Sequence, residues 1–88
     1  PKALLFYRKA VQVHAGSVKA HLGLGNTLCS QHNYRDAARA YDMALRLDST
    51  HQHAHLGRAI VSFRLGEFKR SVKHFGRAGE ALDPRNRE

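Results

Sequence analysis

The sequence predicts an all-α fold in which five antiparallel helices form about two and a half copies of a helical repeat. The chain matches itself when it is shifted by 34 residues, apolar residues recur at helical spacing inside each unit, and turn-forming residues separate the helices. A fixed period of roughly 20 to 50 residues is the signature of a stacked-repeat architecture. We therefore expect a solenoid of helix pairs.

The 34-residue period is clearest at the start of two units, where residues 20–23 (Ala-His-Leu-Gly) are identical to residues 54–57. Further matches pair Tyr34 with Phe68, Tyr41 with Phe75, Ala44 with Ala78, Tyr7 with Tyr41, and Ala10 with Ala44. The Leu-Asp pair at 47–48 recurs 35 residues later, which indicates an insertion of one residue near Gly79. We divide the chain into the second helix of an incomplete repeat (1–17), a complete repeat (18–51), and a repeat with this insertion and a linker (52–88).

The helix boundaries follow from the residues that interrupt the apolar pattern. The predicted helices span residues 1–14, 18–31, 34–47, 52–65 and 68–82. Pro1 suits a first helical turn and Pro84 is a natural stop after the last helix. Asn33 and Gly66 are the expected turn residues within the two pairs. In the third helix, apolar residues three and four apart form the stripe that an amphipathic helix buries.

Composition limits the classes of function. The net charge is +8, from 15 Lys and Arg against seven Asp and Glu, and the basic residues are spread over both halves of the chain. Such a charge favours acidic partners. Cys29 is the single cysteine, so no intrachain disulfide can form, and no apolar run approaches the length of a membrane span. We expect an intracellular, cytoplasmic protein with no membrane partner.

The second unit has Leu24-Gly25-Asn26 in its first helix and Tyr34, Ala37 and Tyr41 in its second. It resembles the tetratricopeptide repeat, which has Leu-Gly in its first helix and a small residue with aromatic residues in its second. The matching positions are Leu24-Gly25-Asn26, Tyr34, Ala37, Tyr41, Ala44 and Leu45-Arg46-Leu47-Asp48. The resemblance implies a right-handed superhelix that acts as a scaffold or adaptor in protein–protein interaction. It also implies a concave groove, lined by the first helix of each pair, that holds a peptide.

The third unit departs from this pattern at three positions. Arg58 and Ala59 stand where the second unit has Leu24 and Gly25, and Ser71 replaces a small apolar residue. A long basic side chain can cover apolar surface with its methylene groups while its charge stays in water. We expect Arg58 to do so.

Helical spacing selects the residues that face the predicted groove. They are Lys19, Leu22, Asn26, Cys29 and Ser30 in the second unit, and His53, Leu56, Ile60, Phe63 and Arg64 in the third. Apolar anchors bordered by hydrogen-bond donors suit an amphipathic, acidic peptide or helix. The alternative is that the apolar residues pack against other parts of a longer parent chain. Leu22 and Gly23 occupy places where a carboxylate clamp would need polar groups, which disfavours a clamp for C-terminal carboxylates.

Other classes of site have weaker support in the sequence. Nucleic-acid binding is the alternative function, because Lys69, Arg70, Lys73 and Arg77 lie at helical spacing on the last helix, although no aromatic base-stacking platform accompanies them. His51, His53 and His55 have no neighbouring acidic residue or cysteine to complete a metal site. Ser30 or Cys29 with His32 has no third residue to orient a base. We predict no enzyme activity, catalytic residue, metal or cofactor.

The isolated chain is expected to self-associate. It begins with the second helix of a pair, residues 83–86 resemble a linker into a further repeat, and none of the predicted helices has the polar outer face of a capping repeat. We expect the mass measured by light scattering to rise with protein concentration. A strictly monomeric mass at the highest concentration would contradict this expectation.

Overall fold

The computed structural model describes residues 2–82, with side chains for residues 2–79. This part of the chain contains five helices and no strand: α1 (Lys2–Val13), α2 (Val18–Ser30), α3 (Tyr34–Leu47), α4 (Gln52–Arg64) and α5 (Phe68–Leu82). The all-α helical-repeat fold is confirmed. None of these five helices is both long and apolar enough to cross a membrane.

The helix boundaries lie within one residue of those expected. Helices α2 and α4 begin 34 residues apart, and so do α3 and α5. The predicted roles of Pro1, of Pro84 and of the linker at 83–86 lie outside the described residues. The division of the chain at 17/18 and 51/52 stays a prediction.

The helices form two layers. Each packs on the next along the chain, and α2 also contacts α4. The first helices of the pairs, α2 and α4, therefore lie side by side, and the second helices α1, α3 and α5 pack onto them. The main apolar core is formed where α2, α3 and α4 meet, with Leu28, Ala37, Tyr41 and Val61 almost fully buried.

Tyr41 fills the space between α2 and α4 and is only 2% exposed. A Cβ atom added at Gly25 of α2 would lie 2.8 Å from the Tyr41 ring, and one added at Gly57 of α4 would lie 2.5 Å from it. Tyr7 of α1 packs in the same way on Gly23, the residue 34 positions before Gly57. The glycines inside these helices thus permit close packing.

The two turns within the pairs have the same backbone design. His32 and Gly66, which are 34 residues apart, have positive φ values of 62° and 80°. The next N–H groups, of Asn33 and Glu67, donate to the carbonyls of Leu28 and Ser62 at 2.9 and 2.8 Å. This is the Schellman arrangement that ends a helix. The left-handed residue of the first turn is therefore His32, and Asn33 follows it.

The expectation for Arg58 is wrong, because its charge is buried. The residue is 4% exposed, and its Nε donates to Asp42 Oδ1 of α3 at 2.9 Å. Its Nη1 donates to Ser62 Oγ at 2.7 Å and lies 3.6 Å from Glu67 Oε1. Buried charges are tolerated where partners neutralise them and accept their hydrogen bonds. Here α3 and the turn before α5 provide those partners.

Ser71 also fits the buried interface of the third unit. Its hydroxyl donates to the carbonyl of Ala59 at 2.9 Å, and the residue is 3% exposed. Serine is still a small residue and its hydroxyl has a hydrogen-bond partner. Serine in place of alanine therefore does not separate α5 from α4.

Replacing Gly57 with alanine tests the contact with Tyr41. The added methyl group overlaps the buried ring, so we expect Gly57→Ala to lower the free energy of unfolding by about 1 to 3 kcal/mol. Chemical denaturation followed by circular dichroism measures the change. Gly76 is the matched control, because an added Cβ there meets nothing within 4 Å. Gly76→Ala should be neutral or stabilise α5 by up to about 1 kcal/mol; equal losses in both variants would contradict the packing role.

Candidate functional site

An open groove of about 630 Å³ lies over α2 and α4. Its lining consists of Tyr7, Lys19, Leu22, Gly23, Asn26, Cys29, Ser30, Tyr41, His53, Leu56, Gly57 and Ile60. This volume falls in the range of ligand-binding clefts. Helices α2 and α4 form the walls because they lie side by side, and the tyrosines of α1 and α3 reach the groove past the glycines.

The groove contains eight of the ten residues predicted for it: Lys19, Leu22, Asn26, Cys29, Ser30, His53, Leu56 and Ile60. Phe63 and Arg64 are exposed at the end of α4 but are not part of this lining. The Phe63 ring packs edge-on against Phe68 of α5, with ring centroids 5.5 Å apart. Whether any of these residues contacts a ligand stays a prediction.

Four lining residues are not among those predicted: Tyr7, Gly23, Tyr41 and Gly57. Tyr41 belongs to the apolar stripe of the third helix and is buried as expected, but its ring also borders the groove because Gly57 has no side chain to cover it. The signal for both tyrosines is their 34-residue repetition together with the repeated glycine. A large ring in one helix and a missing side chain in its neighbour indicate that the ring reaches through to the other surface.

Asn26 is held by a hydrogen bond from the core. The Tyr41 hydroxyl donates to Asn26 Oδ1 at 2.5 Å. Burial raises the pKa of Tyr41 to about 12, and Cys29 adds to the increase, so the hydroxyl stays protonated and able to donate. Because Oδ1 accepts this bond, the amide nitrogen of exposed Asn26 is left to donate toward the groove. The site thus offers a donor to a carbonyl or carboxylate.

Ser30 offers a hydrogen-bond acceptor at the end of α2. Its hydroxyl proton is donated to the carbonyl of Thr27 at 2.8 Å, which leaves the oxygen as an acceptor. Lys19 lies nearer the start of the same helix. Of the described residues that line the groove, none is acidic. The polar groups along α2 can therefore hold a peptide backbone, with positive charge at the Lys19 end.

The three histidines at the start of α4 do not form one cluster. His51 caps the helix, with Nδ1 accepting from the N–H of Ala54 at 3.4 Å, and its ring lies 5.9 Å from that of His53. His55 instead contacts His74 of α5. Within residues 2–82, no group of three His, Cys, Asp or Glu side chains is placed to hold a metal ion.

The candidate nucleophiles are not paired with a base. Ser30 donates its proton to a carbonyl of its own helix, and the ring of His32 packs edge-on against Tyr34 at 5.8 Å. Among the described residues, Ser30 therefore has no hydrogen bond to a histidine that could activate it as a nucleophile.

The basic side chains of α5 lie apart from the groove. Lys69, Arg70, Lys73 and Arg77 are all exposed, and none belongs to the groove lining. Within the described residues, the largely apolar groove on α2 and α4 is therefore separate from the basic face on α5.

Part of the chain matches a known protein family. Residues 18–51, which include α2 and α3, match the family model described as Tetratricopeptide repeat. A search of curated proteins found no match to this chain. The family match confirms the resemblance based on Leu24-Gly25-Asn26, Tyr34 and Ala37.

The raised pKa of Tyr41 predicts a late step in an alkaline titration. Its pKa is 10.0 in the absence of structure and about 12 in the fold, so the folded state binds this proton more tightly. The contribution of this proton to the free energy of unfolding is fully present below pH 10.0 and is lost as the pH rises toward about 12. We expect Tyr41→Phe to remove the latest part of the increase in tyrosinate ultraviolet absorbance.

Circular dichroism at each pH provides the control, since it identifies the range in which the chain is still folded. A variant that lacks the early part of the absorbance increase, and retains the late part, would contradict the assignment to Tyr41.

Proposed function

We propose that this chain is a scaffold whose groove binds an amphipathic, acidic peptide or helix of another protein, because residues 18–51 match the tetratricopeptide repeat family. Tetratricopeptide repeats are generally protein–protein interaction modules. We propose the groove on α2 and α4 as the binding surface. The cytoplasmic location expected from the sequence is part of this proposal.

The observation that carries it is the exposure of apolar side chains in a concave surface. Leu56 and Ile60, one turn apart on α4, are 38% and 41% exposed and both line the groove. Phe63, a further turn along, is 57% exposed. Contiguous apolar surface of this kind marks interaction sites on soluble proteins. Apolar residues at this spacing on α4 can pack against the apolar face of a partner helix, or against alternate side chains of an extended peptide.

The charge of the groove favours acidic flanks on the partner. Lys19 lies at one wall, Arg64 follows the exposed apolar residues at the end of α4, and the net charge of +8 attracts anions at long range. Asn26 supplies a directed donor between these ends. Leu22 and Gly23 line the groove, so a clamp for a terminal carboxylate has no polar groups at these positions. We therefore propose recognition of internal acidic residues that flank apolar anchors.

Nucleic-acid binding through α5 is the second candidate. Its supporting observation is the exposure of Lys69, Arg70 and Lys73 on one short stretch of helix. Phosphate contacts need only such charges, and their affinity falls steeply with salt. The two candidates use different surfaces, so one set of charge reversals separates them.

The test compares charge reversals on the two surfaces. Lys19→Glu with Arg64→Glu should weaken binding of labelled amphipathic acidic peptides by about tenfold, because two attractions become repulsions. Lys69→Glu with Arg70→Glu changes the net charge equally but lies on α5, and should leave peptide binding within about twofold of the unaltered chain. Fluorescence anisotropy with a panel of peptides that carry Leu, Ile and Phe anchors gives the affinities.

The same variants are then tested against labelled single-stranded RNA at several salt concentrations. If the groove variant binds every acidic peptide as tightly as the unaltered chain, the groove proposal fails. RNA binding that is sensitive to salt and abolished by the α5 variant alone would support the second candidate instead.

A further inference from the structure

Two histidines meet at the interface between α4 and α5. The Nδ1 atoms of His55 and His74 are 2.9 Å apart, and their ring centroids are 5.1 Å apart. The preceding repeat has a histidine, His21, at the position of His55, but has Ala40 at the position of His74. The pair therefore occurs at the interface of α5 with α4 and has no counterpart between α2 and α3.

The position of the protons follows from a backbone carbonyl. His55 Nε2 lies 2.7 Å from the carbonyl oxygen of Ser49, which can only accept, so Nε2 carries a hydrogen. Neutral His55 then has a lone pair at Nδ1, and the contact with His74 requires that His74 Nδ1 donates. His21 makes the same bond to the carbonyl of Ala15, at 2.9 Å, without a second histidine.

This arrangement can accept one additional proton without losing its hydrogen bond, but not two. With one, a single hydrogen still lies between the two Nδ1 atoms, so their hydrogen bond is kept whichever ring carries the positive charge. With two, both Nδ1 atoms carry hydrogens, so their hydrogen bond is lost and two positive charges face each other across the interface. Like charges at such short range disfavour the second protonation.

The surrounding charges also disfavour positive charge on His74. Burial lowers its pKa, and the positive charges of His55, Arg58 and Lys73 lower it further, while Asp42 of α3 opposes them. Arg58 of α4 already pairs with Asp42 and with Glu67 of the turn before α5, so these carboxylates are engaged by a cation that stays charged. Little negative charge is left for a second cation.

We propose that the His55–His74 pair is an acid-sensitive switch that holds α5 against α4 at neutral pH and weakens this packing when both histidines become protonated. Helix α5 depends on this interface, because α4 is the helix against which it packs. Phe68 of α5 lies against Phe63 of α4, so a change in α5 also reaches the exposed apolar face of α4. The proposal does not depend on the proposed function of the groove.

The direction of the pH effect follows from the lowered pKa of His74. The unfolded chain binds this proton more tightly than the folded chain. The stability contributed by His74 is therefore fully present above about pH 6.5, the ordinary histidine value, and is lost progressively as the pH falls below it.

The variant that tests the switch is His74→Ala, which installs the residue found at the equivalent position of the preceding repeat. Thermal unfolding followed by circular dichroism is compared at about pH 7.5 and about pH 5.0, on either side of the ordinary histidine value. We expect the acid-induced drop in Tm to be smaller in His74→Ala than in the unaltered chain, by about 5 to 11 °C for each tenfold weakening of proton binding at His74. His14→Ala, at an exposed histidine, is the matched control and should keep the full drop.

Proton magnetic resonance of the imidazole signals tests the same proposal in the unaltered chain. The His74 signal, identified by its absence in His74→Ala or by sequential assignment if that variant does not fold, should titrate below about pH 6.5. Hydrogen exchange should show protection of α5 amides falling with acid more than that of α3 amides. Titration of His74 at or above the ordinary value, or an equal drop in Tm for a folded His74→Ala, would overturn the proposal.

Discussion

The contact of Tyr41 with Gly25 and Gly57 is the constraint on which the rest of the structure depends. One ring from α3 occupies the space left by glycine on α2 and on α4, so it sets how closely these two helices approach. The ring is buried in the core, yet it also borders the groove, and its hydroxyl holds Asn26 at the groove surface. The same side chain therefore determines the packing of the helices and the position of a hydrogen-bonding group available to a ligand.

Much of the fold is predictable because two units share one pattern, so the helices and turns inferred for one unit can be compared with those of the other. Turn residues and caps bound each helix locally, which explains why the helix ends lie within one residue of expectation. The groove residues on α2 and α4 were predictable for a similar reason, since helical spacing alone places residues such as Leu56 and Ile60 on one face. Periodicity within a helix carries no information about its neighbours, however, and the groove residues Tyr7 and Tyr41 belong to the neighbouring helices.

Arg58 shows the same limit in the core. Its spacing on α4 correctly indicates an inward position, but whether a buried guanidinium is tolerated depends on partners far away in the sequence. Asp42 lies on α3 and Glu67 in the turn before α5, and only the fold brings both to Arg58. Without them the charge would have to reach water, because an unpaired buried charge costs several kcal/mol, roughly 3 to 5 when one partner is removed. The sequence therefore predicts the direction of the Arg58 side chain correctly, but it does not reveal the partners that allow the charge to be buried.

The third unit replaces three apolar residues with polar ones. Arg58, Ser62 and His74 stand where the second unit has Leu24, Leu28 and Ala40. Apolar contacts are insensitive to pH and tolerate small displacements, whereas hydrogen-bonded charges require every partner in its correct protonation state. Two repeats that share one backbone design can thus respond differently to a change in pH. The proposed response lies at the interface between α4 and α5, and Phe63 and Phe68 link this interface to the end of the apolar surface on α4.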